Sequence, residues 1–213
     1  MAILVCMAAT DRTRVRRHPE RGVYERAPID AILDEALICH VGFVIDGQPF
    51  VIPTIHARAG DVLYLHGSPA SRMLRTLRDG VDLCVTATLR DGIVLARSVY
   101  NHSLNYRSAV VLGRAREVVD VDEKRVALEV IVEHMVPGRW SDARQPTQGE
   151  LDGTTVLALA LDEASAKVRT GPPKDFDRDM DLPVWAGVIP LRLEAGALEG
   201  DSDGLPAPPY LRG

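Results

Sequence analysis

The sequence predicts a mainly β fold of the α+β type: a closed or partly closed antiparallel barrel with a few helices packed outside it. About six or seven segments alternate apolar and polar residues with the period of two that strands have. Short turns join most of these segments, and they do not alternate regularly with helices, which argues against a doubly wound parallel sheet. Interior glycines such as Gly113 indicate the bulges or close backbone approaches that barrels use.

The first half of the chain predicts one helix and three strands. Pro28 suits the first position of a helix over 28–37. The run "ICHVGFVIDGQPFVIPTIH" is two strands joined at Asp46-Gly47, the dipeptide most typical of tight hairpins. Pro53 cannot donate to a neighbouring strand, so we expect an edge, a bulge or a ligand beside it. A second tight connection over 58–61 leads into the third strand.

The stretch "YLHGSPASRML" over 64–74 predicts a strand that ends and a helix that begins. Ser68 suits the N-cap and Pro69 the first helical position, and Gly80 follows the last turn. Capping does not explain Arg72 in the first turn, because the helix dipole favours negative charge there. An anion held between the arginine and the backbone N–H groups would explain it. A merely exposed arginine is the alternative.

The second half predicts further strands and one long helix. In "VDLCVTATL", Thr86 and Thr88 share the polar face of a strand, and Asp91-Gly92 predicts another hairpin turn. Strands are also expected in "RSAVVLGRAREV", "TTVLALAL", "AKVRT" and "VWAGVIPLRL", and "VDEKRVALEVIVEHMV" predicts a helix with a capping-box-like start at Asp120.

Length and composition predict one domain. We expect residues 1–15 to be a disordered leader, 16–194 to form a single domain and 195–213 to be a flexible tail. The net charge of -5 gives no global attraction for nucleic acid or an anionic membrane, so we expect neither as a partner. The apolar start is too short to span a bilayer, and its arginines follow it instead of preceding it as in a signal peptide. These features favour a cytoplasmic protein, and the odd number of cysteines favours a reducing compartment.

The sequence predicts no metal site. The six histidines form no HxxH or HExxH pair, and no CxxC occurs. The alternating aspartates over 175–181 are similar to a calcium loop but lack the glycine and glutamate that such a loop requires. GxSxG, Walker and GxGxxG motifs are also absent from the sequence.

A second polar cluster precedes an apolar strand in "NHSLNYRSAVVLG". A solvated loop explains any one of its side chains, but so many hydrogen-bonding groups together indicate a binding site. The polar residues of this cluster are Asn101, His102, Ser103, Asn105, Tyr106, Arg107 and Ser108.

Four segments together carry a family resemblance: "RRHPERGVYERAPIDAILDEA", "VIPTIHARAGDVLYLHGSPASRML", "ARSVYNHSLNYRSAVVLGRA" and "KVRTGPP…WAGVIPL". In this order they resemble the pyridoxamine 5′-phosphate oxidase-related, FMN-binding split-barrel proteins, in the branch of the nitroimidazole-resistance-type flavoproteins. The resemblance runs from about Arg16 to about Leu191.

The resemblance implies an antiparallel split β-barrel and a homodimer that binds FMN at the subunit interface. It implies that "PTIH" lines the isoalloxazine ring, that "HGSPASR" holds the ribityl phosphate, and that the later segments approach the flavin, in part from the second subunit. The cofactor-binding residues expected on this basis are Pro53, Thr54, Ile55, His56, His66, Gly67, Ser68, Ser71, Arg72, Thr88, Asn105, Tyr106, Arg107, Ser108, Lys167, Arg169 and Trp185.

The function implied is that of an FMN-dependent oxidoreductase acting on a small molecule. No catalytic acid or base is assigned; His56, His102 and Tyr106 are candidate proton donors. NAD(P)H is a candidate electron source. The substrate-phosphate contacts of true pyridoxamine oxidases are not found, which argues against that reaction. A non-catalytic flavin carrier and a deazaflavin (F420)-dependent reductase are the alternatives.

Overall fold

The structure is a computed structural model that describes residues 9–200, 204 and 206–211. Its strands are β1 (Gly22–Val23), β2 (Ile38–Ile45), β3 (Gln48–Ala59), β4 (Val62–Gly67), β5 (Asp82–Leu95), β6 (Ser103–Arg114), β7 (Arg116–Glu117), β8 (Thr155–Ala160), β9 (Ala164–Arg169) and β10 (Gly187–Pro190). Its α-helices are α1 (Arg26–Glu35), α2 (Arg72–Arg78), α3 (Val121–Met135), α4 (Arg139–Asp142) and α5 (Gln148–Asp152).

All strand pairs are antiparallel, in the order β1-β9-β6-β5-β2-β3-β4-β8-β7, and β10 pairs with β5. Strand β3 changes neighbour along its length: residues 48–55 pair with β2, and residues 56–59 pair with β4. This change of neighbour joins the two halves of the sheet, which curl around one apolar core. The predicted split β-barrel is confirmed.

Two apolar clusters stabilise the barrel. The larger one fills its interior and includes Ile29 and Leu33 of α1 and Leu74 and Leu77 of α2. The smaller one lies where α3 packs on the sheet, with Ala127 and Ile131 buried. The interior glycine Gly113 marks a close approach, since a Cβ there would lie 2.9 Å from the Leu159 side chain.

The predicted tight turns between β2, β3 and β4 are confirmed. Asp46 and Gly47 both have positive φ, 49° and 79°, the backbone that a two-residue hairpin turn requires. Gly60 has φ 56° between β3 and β4. Pro53 lies opposite His40 of β2 on one edge of β3. The other edge of β3 is unpaired at Pro53, because pairing with β4 begins only at His56. The edge predicted beside Pro53 is therefore present.

Two local predictions are wrong. Helix α2 begins at Arg72, not at Pro69, and Ser71 is its N-cap, with Oγ accepting from Leu74 N at 3.5 Å. Ser68 instead begins a turn in which its carbonyl accepts from Ser71 N at 2.9 Å.

Asp91-Gly92 is not a hairpin turn. It is a bulge inside the continuous strand β5, where the register against β6 shifts between Arg90 and Gly92. Gly92 is packed against β10, since a Cβ there would lie 2.8 Å from Val188 Cγ1.

Some residues of the predicted leader and tail contact the rest of the protein. In the described part of the leader, Thr13 is buried, Thr10 Oγ1 donates to Glu163 at 2.7 Å, and Val15 N donates to the Tyr24 hydroxyl at 2.9 Å. In the tail, the Tyr210 hydroxyl donates to Asp142 at 2.6 Å. The remainder, residues 1–8, 201–203, 205, 212 and 213, lies outside the described residues.

None of the helices that the structure describes combines the length and the apolar composition that crossing a membrane requires.

Two histidines bind the C-terminal end of α1. His56 Nε2 donates to the Leu33 carbonyl and His134 Nε2 donates to the Ala36 carbonyl, each at 3.0 Å. These carbonyls are among those that a helix end leaves without intrahelical donors. The two rings lie 5.5 Å apart, and His56 has no exposed surface. Burial lowers the pKa of His56 to about 4, so the ring is neutral at pH 7.

The low pKa of His56 predicts a loss of stability in mild acid. The unfolded chain binds a proton at His56 near the usual pKa of about 6.5, whereas the folded chain binds it only near 4. The stability contribution is therefore complete above pH 6.5 and is lost as the pH falls toward 4, by up to about 3 kcal/mol. Urea unfolding of His56→Gln, whose amide replaces the N–H donor, should show a weaker pH dependence in this window than the parent. The exposed His18→Asn is the control, and an equal change in both variants would contradict the assignment.

Candidate functional site

The predicted site residues lie in two groups on the sheet. The β3–β4 group lies at one end and consists of Pro53, Thr54, Ile55, His66, Gly67, Ser68, Ser71 and Arg72. The β6–β9 group lies across the sheet and consists of Thr88, Asn105, Tyr106, Arg107, Ser108, Lys167 and Arg169. Trp185 is outside both groups, exposed just before β10, and its indole lies against Gly187.

The β3–β4 group contains a cation and an imidazole with free binding capacity. The Arg72 guanidinium lies 4.7 Å from the centre of the Phe50 ring, and no carboxylate of the described residues lies within salt-bridge distance of it. His66 Nδ1 is buried without a hydrogen-bond partner among the described residues, and burial lowers the pKa of this ring. This end of the sheet can therefore bind an anion beside a neutral ring nitrogen.

Backbone groups are also available in the β3–β4 group. Residues 48–55 of β3 have a neighbour on one side only, so the other edge is open to a ligand. Ser68 Oγ accepts from Ala70 N at 3.2 Å, which fixes the turn that leads to Ser71 and Arg72. A planar ring at the open edge and an anionic group at Arg72 fit this arrangement.

His56 lies in the protein interior, although it follows the open segment of β3. Its side chain has no exposed surface, and its Nε2 binds the Leu33 carbonyl. A side chain with no exposed surface cannot contact a ligand bound on the surface. The His56 side chain therefore has a structural role, and the flavin contact and proton donation expected of His56 stay predictions.

In the β6–β9 group, the charge of Arg107 is already balanced. Its Nη2 lies 2.8 Å from Glu35 Oε1 and 2.8 Å from Asp91 Oδ1. The hydrogen bonds that Arg107 donates to Glu35 and Asp91 raise the pKa of Arg107, and those that Glu35 accepts lower the pKa of the Glu35 carboxyl. The structure thus pairs Arg107 with two carboxylates, and its expected contact with the cofactor stays a prediction.

Several residues of the β6–β9 group border a cavity of about 620 Å³, which we call the cationic cavity. His102, exposed at its rim, accepts a hydrogen bond at Nδ1 from Ala96 N at 3.1 Å. The predicted residues His102, Tyr106, Lys167 and Arg169 all line the cavity, which also includes Arg17, His18, Arg21, Tyr100, Asn101, Ser103 and Lys174.

Arg17, His18, Arg21 and Lys174 line the cavity although no sequence motif predicts a site role for them. Arg17, His18 and Arg21 belong to "RRHPERG", a segment used for the family resemblance only. A 3₁₀-helix at Pro19–Arg21 and the pairing of β1 with β9 bring this segment to Lys167. The cluster of basic residues beside Pro19 is the one feature of the sequence that could have indicated an anion-binding site in this segment.

The two groups lie on different strands of the curved sheet, β3 and β4 on one side and β5, β6 and β9 on the other. Pro53, His40, Thr86, Val110 and Ser165 lie opposite one another on five successive strands. Four strand spacings separate the first from the last, about 19 Å.

Known proteins are similar to this chain over most of its length. The family model described as pyridoxamine 5′-phosphate oxidase matches residues 25–168. The flavocytochrome Anf3 from Azotobacter vinelandii is 41% identical, with 97% of each chain covered and a TM-score of 0.90. An FAD and heme binding protein from Mycobacterium smegmatis is 37% identical, over 90% of this chain and 96% of that one, with a TM-score of 0.84.

A putative 5-nitroimidazole antibiotic resistance protein from Bacteroides thetaiotaomicron is 27% identical over 69% of this chain and 86% of that one, with a TM-score of 0.57. Among curated protein sequences, none matches significantly. The family expected from the four sequence segments is confirmed. This chain belongs to the pyridoxamine 5′-phosphate oxidase family.

Proposed function

We propose that the protein binds a flavin and is a flavin-dependent oxidoreductase acting on a small molecule. The observation that carries the proposal is the β3–β4 group, where an unpaired arginine and an unpartnered imidazole nitrogen flank an open strand edge. The two relatives with the higher identities are a flavocytochrome and an FAD and heme binding protein, and both names include a flavin.

In this proposal the phosphate of the flavin lies at Arg72 and Ser71. The arginine supplies a charge that no described carboxylate neutralises. The ring lies along residues 53–55 of β3, where backbone groups at the open edge can bond its polar rim. His66 Nδ1 is a further polar contact. The flavin supplies the electron and hydride transfer, while these residues bind and orient it.

We propose a homodimer in which a second copy of the chain covers an apolar face of the barrel and completes the flavin site. The outer face of β2 and β3 carries apolar side chains that the protomer leaves open: Ile38 is 53% exposed, Val44 51% and Val51 68%. A second copy that covers this face buries them and brings its own β6–β9 group toward the first copy's β3–β4 group. The occupant we infer is therefore another copy of this chain.

The form of the flavin is part of the proposal. FMN is the cofactor expected from the sequence, whereas the Mycobacterium smegmatis relative binds FAD by name. The β3–β4 group would bind the isoalloxazine ring and the first phosphate, and FMN and FAD have both of these in common. Flavin released from the purified protein by denaturation, identified by chromatography, distinguishes the two. A protein that purifies without flavin and does not bind added flavin, but binds F420, would favour the deazaflavin alternative.

Haem is a second candidate cofactor, because the Mycobacterium smegmatis relative binds FAD and heme by name and the Azotobacter vinelandii relative is named a flavocytochrome. Haem iron commonly takes a histidine nitrogen as its axial ligand. His18, His56, His102 and His134 each use one ring nitrogen in a hydrogen bond. His56 and His134 donate from Nε2 and keep Nδ1 unprotonated, whereas His102 accepts at Nδ1 and therefore carries its proton on Nε2. His40, exposed on β2 opposite Pro53, and His66 have both ring nitrogens free of hydrogen bonds to described residues.

The phosphate contact predicts a selective effect of Arg72→Ala. The variant should bind FMN roughly tenfold or more weakly, because a charge-assisted contact contributes about 1.5–3 kcal/mol. Its affinity for riboflavin, which lacks the phosphate, should stay within about twofold. Arg75→Ala, on the same helix, is the matched control. Fluorescence titration measures all four affinities, and equal losses for FMN and riboflavin would contradict the phosphate contact.

If His40 or His66 is the haem ligand, replacing that histidine should remove haem binding. Protein reconstituted with haem should show a Soret band, and either His40→Ala or His66→Ala should abolish or shift it. His102→Ala should leave the band unchanged, since its Nδ1 accepts a backbone N–H. Absorbance spectra of the three variants test this. A band that survives in both His40→Ala and His66→Ala would exclude these residues as ligands.

A further inference from the structure

We propose that the cationic cavity binds a small molecule carrying two adjacent phosphate groups, such as the diphosphate of a dinucleotide. The cavity is a separate feature from the β3–β4 group of the same protomer, about four strand spacings away across the sheet. This inference deepens the proposed function, because the cavity shares Tyr106, Lys167 and Arg169 with the β6–β9 group that the proposed dimer brings to the flavin. Titration with inorganic pyrophosphate tests the cavity separately from flavin binding.

Positive charge is concentrated around this cavity although the whole chain has a net charge of -5. Of the described residues, one carboxylate lies within salt-bridge distance of the lining cations, Glu20, whose Oε1 is 3.7 Å from Arg21 Nε. The lining cations are Arg17, Arg21, Lys167, Arg169 and Lys174. A site with this excess of positive charge attracts an anion with more than one charge.

Arg169, a buried arginine of the cavity, has no negatively charged partner among the described residues. The residue is 6% exposed, and its guanidinium donates to Asn105 Oδ1 and to the carbonyls of Gly171 and Pro172. None of these acceptors carries a charge. Burial and the nearby Arg21 lower the pKa of Arg169. A buried charge without a charged partner is costly, and an anion in the cavity would remove that cost.

A second polar group in the cavity also lacks a partner. Asn101 Nδ2 is buried and makes no hydrogen bond with a described residue. Buried donors are nearly always bonded in folded proteins, so this amide indicates a ligand acceptor. Asn101 lies in a 3₁₀-helix whose N-cap, Ser98, accepts from Tyr100 N, so the amide is held at the cavity wall by a short ordered segment.

The size and the walls of the cavity fit a nucleotide-sized ligand. Its volume of about 620 Å³ lies in the usual range for small-molecule sites, about 300–1,000 Å³. Tyr100 and Tyr106 add aromatic surface, and the Tyr100 ring is stacked on Phe176 at 6.1 Å. FAD and reduced nicotinamide dinucleotides both combine a diphosphate with flat rings, so both are sources of the proposed ligand chemistry.

The test is calorimetric titration of the purified protein with inorganic pyrophosphate. Two variants remove exposed lining cations that are not in the proposed flavin site: Arg17→Gln and Lys174→Gln. Each should weaken binding roughly tenfold, the value of one charge-assisted hydrogen bond, and the double variant about a hundredfold. Arg125→Gln, on α3 and outside the cavity lining, is the control and should bind like the parent.

Pyrophosphate that fails to bind the parent protein, or binds the double variant as tightly as the parent, would overturn the proposal. Competition then identifies the source of the diphosphate. Displacement of pyrophosphate by FAD but not by NADPH supports a flavin dinucleotide, and the reverse result supports a nicotinamide dinucleotide. Displacement by neither would overturn the assignment to a dinucleotide. Flavin content measured on the same samples shows whether the β3–β4 group is intact.

Discussion

The fold depends on the change of neighbour in β3 between Ile55 and His56. Up to Ile55 the strand pairs with β2 and leaves one edge open, and from His56 it pairs with β4. The His56 ring turns inward at this point and binds the last turn of α1, and His134 does the same from α3. One position therefore joins the two halves of the sheet, anchors two helices, and leaves the preceding segment free to bind a ligand.

The arginines of the site differ in how their charge is balanced. Arg107 lies between Glu35 and Asp91 and ties α1 to the bulge in β5, so it stabilises the fold. Arg72 and Arg169 have no carboxylate partner among the described residues, one at the exposed start of α2 and the other buried beside the cationic cavity. The segments "YLHGSPASRML" and "NHSLNYRSAVVLG" each contain an arginine. Only the position of nearby carboxylates in the structure distinguishes an arginine that stabilises the fold from one that is available to a ligand.

Sequence predicted the features that depend on adjacent residues. The Asp46-Gly47 hairpin needs positive φ at both central positions, which these residue types supply. Asp91-Gly92 has the same sequence signal, but it is a bulge because β10, nearly a hundred residues later, packs on Gly92. His56 was predicted at the ligand because it follows Pro53-Thr54-Ile55, yet α1 and α3 enclose it. The cationic cavity was missed because its lining comes from segments far apart in the chain.

The central claim is that two copies of the chain build each flavin site. Native mass spectrometry of the purified protein tests it most directly, with Val51→Asp to disrupt the apolar outer face and Val119→Asp, an exposed valine outside that face, as the control. The account predicts a dimer carrying two flavins for the parent and the control, and a monomer without flavin for Val51→Asp. A monomer that retains its flavin would contradict the shared site.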